Sequence, residues 1–114
     1  MLIPNAEHAT VLIEKLRDYA LDELYPVGRD KARVFRAALG WTKLNADELK
    51  GLLLEAVQTL QTAEYGKADK YGQRYILDIP YISRNGNEVM IRSTWILDND
   101  GAPPRLTSCY VLNA

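Results

Sequence analysis

"AVQTLQTAEYGKADKYGQRYILDIPYI", residues 56–82, holds the point where the chain changes its hydrophobic period. Before it, Leu49, Leu52, Leu53, Ala56, Val57 and Leu60 recur at helical spacing, which predicts a helix running to about Thr62. After it, "YGQRYILDIPYI" (71–82) alternates and is rich in β-branched and aromatic residues, as strands are. Between them "AEYGKADKYG" (63–72) is polar, contains two glycines and predicts a loop. One switch, with helices on one side and strands on the other, predicts an α+β fold: about three N-terminal helices packed on one face of a small antiparallel sheet.

Two further strands follow, "NEVMIRSTWIL" (87–97) and "RLTSCYVL" (105–112). "SRNGNE" joins the first pair, and its Asn85-Gly86 is a strong hairpin signal. "DNDGAPP" makes the longer second turn. In the middle strand Val89, Ile91, Ser93, Trp95 and Leu97 face one way, and Met90, Arg92, Thr94 and Ile96 the other. The helical half is punctuated at "YPVG" and at Gly40. It gives a first helix carrying Leu12, Leu16 and Tyr19 to about Leu21, although "ATVLI" (9–13) equally suits an edge strand. The second helix spans about Asp30–Leu39. The third has Asn45 as N-cap with Glu48 completing a capping box, and Leu44 and Leu49 as a hydrophobic staple. The predicted core joins Phe35, Leu39, Leu53 and Val57 to Val89, Ile91 and Trp95.

At 114 residues and 12.9 kDa, residues 1–114 are expected to form one domain. No apolar run approaches the ~18 residues of a membrane span, and no signal-peptide pattern is present. One cysteine, Cys109, cannot form an internal disulfide, so a reducing cytoplasm is the default expectation. One histidine and one cysteine exclude the usual zinc constellations, and nothing calls for a metal or cofactor. Nucleophile triads, Walker A loops and dinucleotide fingerprints are absent from the sequence. A net charge of −1 excludes binding of nucleic acid by overall charge, so any such binding needs a local patch.

Such a patch is available on the second helix. Arg29, Arg33 and Arg36 fall opposite Val34 and Phe35 and suit either a solvated face or phosphate binding. With Lys31 and Asp30 they give residues 29–36 a local charge of +3. Lys31 lies along the apolar face, in a first turn where the helix dipole disfavours a cation. Either its amine snorkels past that face, or it is held near the sheet to move a proton or bind a phosphate. On the sheet, Arg92 and Thr94 share a face of the middle strand. Ser108 and Tyr110 share a face of the last strand, with Thr107 on the other. An arginine within an apolar strand requires an open polar face or a carboxylate partner. Arg74 and Asp78 in the first strand offer a competing ion pair. His8, in a polar N-terminal context, suits a surface residue or cap better than a catalyst.

"LIPNAE", "KLRDYAL", "YPVGRDKARVFRAALGW", "YGQRYILDIP" and "PRLTSCYVL" together resemble an uncharacterised family of small bacterial domains. These occur alone, beside a small partner gene, or as the last domain of large secreted polymorphic toxins. The resemblance covers nearly the whole chain, and Gly28, Lys31, Ala32 and Phe35 are its most specific part. The layout is similar to that of barnase, EndoU, colicin and RelE-type ribonuclease toxins, an analogy of fold. Many relatives have a histidine before the proline where this chain has Tyr25, and a phenol is a poor base at neutral pH.

The resemblance implies a metal-independent endoribonuclease toxin, with Lys31, Arg92, and Tyr110 or Tyr25 as catalytic groups. Arg29, Arg33, Arg36, Thr94 and Ser108 would then bind RNA or phosphate. A non-catalytic protein-binding module, accessory or antitoxin-like, is the alternative. The implied partners are a small cognate antitoxin or immunity protein and RNA. Weak self-association is expected if a three-stranded sheet leaves its edges bare. Because Arg92 and Trp95 face opposite ways, Lys31 must reach around a sheet edge to join Arg92.

Overall fold

The structure, a computed structural model, describes residues 1–24 and 29–112, with Arg29 as backbone only. Four antiparallel strands, β1 (Glu64–Asp69), β2 (Gly72–Ile82), β3 (Glu88–Asp98) and β4 (Arg105–Val111), form one sheet in sequence order. The helices α1 (Ile13–Lys15), α2 (Arg29–Leu39) and α3 (Ala46–Thr59) precede it, so the fold is α+β. Trp95, Phe35, Leu53, Val57, Val89 and Ile91 are all buried in one cluster, and Leu39 packs against it half-buried. That is the predicted core.

The predicted loop after α3 is in fact β1. Its side chains are exposed or half-buried on both faces, so no alternation marks it. Charge replaces apolarity along this edge, with Glu64, Lys67 and Asp69, and the pairing with β2 is interrupted between Tyr65 and Ala68. The Gln73 side chain donates to the Gly66 carbonyl within that interruption at 3.0 Å. Gly72, at φ +145°, begins β2 where a Cβ would stand 2.3 Å from the Leu97 carbonyl oxygen. No other residue fits there.

The β2–β3 connection is a three-residue hairpin. Gly86 donates to the Ser83 carbonyl at 3.0 Å, and Gly86 alone in the turn has positive φ, at +86°. This is a type I turn closed by a left-handed glycine.

The first helix differs from its predicted stripe. After Lys15 the chain continues as a π-helical stretch, Leu16–Ala20, in which the Leu21 N–H reaches the Leu16 carbonyl at 2.8 Å. A five-residue step puts Leu16 and Leu21, both buried, on the same side. Leu12 and Tyr19, the predicted stripe partners, are exposed instead. The edge-strand reading survives in part: Thr10 forms an isolated parallel bridge with Arg105, covering part of the β4 edge.

The cap of α3 is also corrected. Asn45 makes no side-chain cap bond for α3. Its Oδ1 instead accepts the Thr42 N–H at 2.9 Å, closing a short 3-10 turn, Lys43–Asn45, and its Nδ2 donates to Glu48 at 2.8 Å. Leu44 is 92% exposed, so no hydrophobic staple forms. Among the described residues no helix is long and apolar enough to cross a membrane.

Candidate functional site

One face of the sheet is covered by the helical layer, and the other is open and polar. Equal steps outward from the β2–β3 hairpin bring Asp78 opposite Arg92, and β4 places Tyr110 on the far side of Arg92. Arg92 donates from Nε and Nη2 to the two oxygens of Asp78, at 2.8 and 2.9 Å. This bidentate pair is one-third exposed. The hydrogen bonds to Asp78 hold the guanidinium charge well above its ordinary range, with a smaller push from Tyr110. The alternative Arg74–Asp78 pair does not form: Asp78 pairs with Arg92, and the β1 strand supplies Asp69 to Arg74 at 2.9 Å.

Lys31 completes the row. Helix α2 lies against the edge strand β4, and the Lys31 Nζ sits 4.1 Å from the centre of the Tyr110 ring. The most buried part of α2 is Ala32 and Phe35, with Leu39 half-buried. Val34 and Ala38 also pack on the core half-buried, so Lys31 lies along the apolar face as the sequence indicates, but about 70° from its most buried part at 100° per residue, and it is exposed. From the flank its stem passes round the β4 edge, and the ring face attracts the ammonium. The sequence's awkward lysine is a boundary residue. Asp78, Arg92, Tyr110 and Lys31 thus lie side by side across three strands and a helix.

Two residue pairs along, on the same face, Thr94 and Ser108 stand opposite each other beside the row. Their hydroxyls are 2.7 Å apart. The β3–β4 register breaks between Thr94 and Trp95, and this bulge changes the assignment of Thr107. Expected on the opposite face, Thr107 instead brings its hydroxyl to 2.7 Å from that of Thr94 and donates to the Thr94 carbonyl at 3.0 Å. The sequence offered Asp78 only in an ion pair with Arg74, and Thr107 only on the other face, so neither was read as part of the site. Counting the hairpin register would have found Asp78, whereas an insertion such as this bulge leaves no sequence signature.

Of the remaining predicted basic residues, Arg33 and Arg36 have partners of their own. Arg33 is an exposed partner of Asp30 at 3.7 Å, and Arg36 pairs with Glu23 at 3.0 Å. The Arg29 side chain, Tyr25 and Gly28 fall outside the described residues. Cys109 points into the core, where burial pushes its thiol up to about 12, so it is no nucleophile at neutral pH. A small hollow of about 130 Å³ on the helical side is lined by Trp41, Glu48, Tyr81 and Arg84 among others, and by none of the predicted site residues.

The row joins two cations, one of them paired with the Asp78 carboxylate, and a phenol on one open surface. Such a set can hold a phosphate and stabilise charge that builds on it.

No curated protein matches this chain. Its fold is similar to that of a chain in a contact-dependent growth inhibition toxin–immunity protein complex from Klebsiella pneumoniae 342. The TM-score is 0.68 at 18% sequence identity, over 98% of this chain and 100% of that one. At that identity the likeness concerns the fold. Over residues 2–113 the chain matches DUF6883, a domain of unknown function, and it belongs to that family.

Proposed function

We propose that this chain is the toxin of a toxin–immunity pair and cleaves RNA on the open face of its sheet, without a metal. The observation that carries this reading is the Lys31 amine on the Tyr110 ring, beside Arg92. Attack by a 2′-hydroxyl, its proton passing to solvent, builds negative charge on the phosphate, and two cations either side of Tyr110 are suited to stabilise it. Tyr110, between them, is placed to give a proton to the leaving oxygen. Asp78 fixes the plane of the Arg92 guanidinium. The likeness to a chain of a toxin–immunity complex supports a small protein as the partner.

The second reading, a non-catalytic antitoxin-like module, is favoured by the neutralisation of Arg92 by Asp78 and by the net charge of −1. Self-association through β1 has less support, because its charges and irregular register are devices that discourage edge pairing. Inducible expression in bacteria, with and without the product of the neighbouring gene, separates the two readings. The toxin reading expects growth arrest with fragmented RNA, relieved by co-expression. Normal growth with intact RNA, together with a stable complex, establishes the module reading in its place.

A further inference from the structure

Thr107, Thr94 and Ser108 form a line of three hydroxyls at the bulge, and each hydroxyl has one proton to donate. The Thr94 hydroxyl also lies 3.4 Å from the Ser108 carbonyl, its longest contact, and one assignment alone fills the three shorter contacts: the Thr107 proton goes to the Thr94 carbonyl oxygen at 3.0 Å, which can only accept. The 2.7 Å contact between Thr107 and Thr94 then takes its proton from Thr94. The 2.7 Å contact between Thr94 and Ser108 takes its proton from Ser108. The line therefore runs inward from the surface. Exposed Ser108 has already donated and turns only lone pairs to solvent.

Such an oxygen is ill suited to a phosphate, which offers acceptors alone. It suits a donor. Along a nucleic-acid backbone the group that donates is the 2′-hydroxyl, which DNA lacks. Ser108 shares the open face with Tyr110, roughly 7 Å along β4 by the strand repeat. A sugar and its attached phosphate span a comparable length, so a phosphate held by Arg92 and Lys31 brings a ribose over Ser108. We infer that Ser108 Oγ accepts a hydrogen bond from a ribose 2′-hydroxyl, making this face selective for RNA over DNA. Thr94 and Thr107 are positioning residues that set the direction of the line. The inference rests on the nucleic-acid reading proposed above.

The test is binding, which does not depend on turnover. Single-stranded RNA and DNA of one sequence are titrated into the intact chain by fluorescence anisotropy, with strand integrity checked. The wild-type chain is expected to prefer RNA by about five- to tenfold, the scale of one uncharged hydrogen bond. Ser108→Ala should abolish the preference by weakening RNA alone. Thr107→Val keeps Ser108 but lets the Thr94 proton turn toward it, and should abolish the preference as well. A merely structural role for Thr107 would not change the ratio. Equal weakening of RNA and DNA by Ser108→Ala, or a preference that survives either substitution, overturns the inference. Binding of both strands without preference by the wild type also overturns it, and leaves the proposed function standing. Binding of neither strand overturns both.

Discussion

Strand β3 presents two faces that treat polar side chains in opposite ways. On the helix-covered face Ser93 is fully buried, donates to the Leu77 carbonyl at 2.7 Å and accepts from the Trp95 indole at 2.9 Å. Every bond it makes ends inside the protein. On the open face Arg92 and Thr94 also have partners, but their networks end at solvent, in an ion pair one-third exposed and in Ser108. A closed polar contact fixes the core, whereas an open one leaves capacity for something that binds. One strand thus separates a closed polar network from an open one by alternation alone.

The sharpest way to break this contrast is to compare Trp95→Ala with Arg92→Ala. Urea unfolding should show a loss of about 3–5 kcal/mol for the tryptophan and no more than about 1 kcal/mol for the exposed ion pair. Similar losses would mean that the open face is structural after all. Next in size is activity: if the chain cleaves RNA, Lys31→Ala and Arg92→Ala should each slow cleavage by at least about a hundredfold. Circular dichroism should remain unchanged. Undiminished cleavage in either variant removes that residue from the chemistry.

Ser93→Ala leaves the Trp95 N–H unpaired in the core and should cost about 1–3 kcal/mol, while Ser108→Ala should stay within about 0.5 kcal/mol. The smallest effect belongs to Asp69 at the β1–β2 turn. The Tyr71 N–H, and then Arg74, hold its carboxyl below the ordinary carboxylate range. Its contribution is present above the unfolded value of about 4 and is lost as pH falls through the lower folded value. Asp69→Asn should therefore lower Tm slightly at pH 7, and the gap to wild type should close in acid. A gap that stays constant with pH would assign the effect to packing.

The legibility of this fold followed burial. β2, β3, β4 and α3 each bury one side, so their periods were plain, and the Phe35–Trp95 core followed from them. β1 buries neither side, and an edge strand made safe by charge is written like a loop. The π-helical step in the first helix and the bulge at Thr107 each shift the pattern by a single position, which no periodicity reports. Among the site residues, Arg92, Tyr110, Thr94 and Ser108 could be placed on one face by alternation. The approach of Lys31 could not, because it depends on α2 lying against the edge strand β4. Asn45 served a different turn from the one its position suggested, since Thr42 offered a closer partner.

The bridge between Thr10 and Arg105 has a consequence for how the molecule assembles. The Thr10 N–H donates to the Pro104 carbonyl at 2.9 Å, and the Leu106 N–H to the Thr10 carbonyl at 3.0 Å. These bonds close a loop that includes nearly all the intervening chain, whereas each hairpin closes only a short one. Entropy makes the long closure the costlier step, so the hairpins form first and the strap docks on a sheet already built. On the ribosome it has no partner until β4 has been synthesised. The edge of β4 therefore stays bare through most of folding, and shielding it is the last act of the chain.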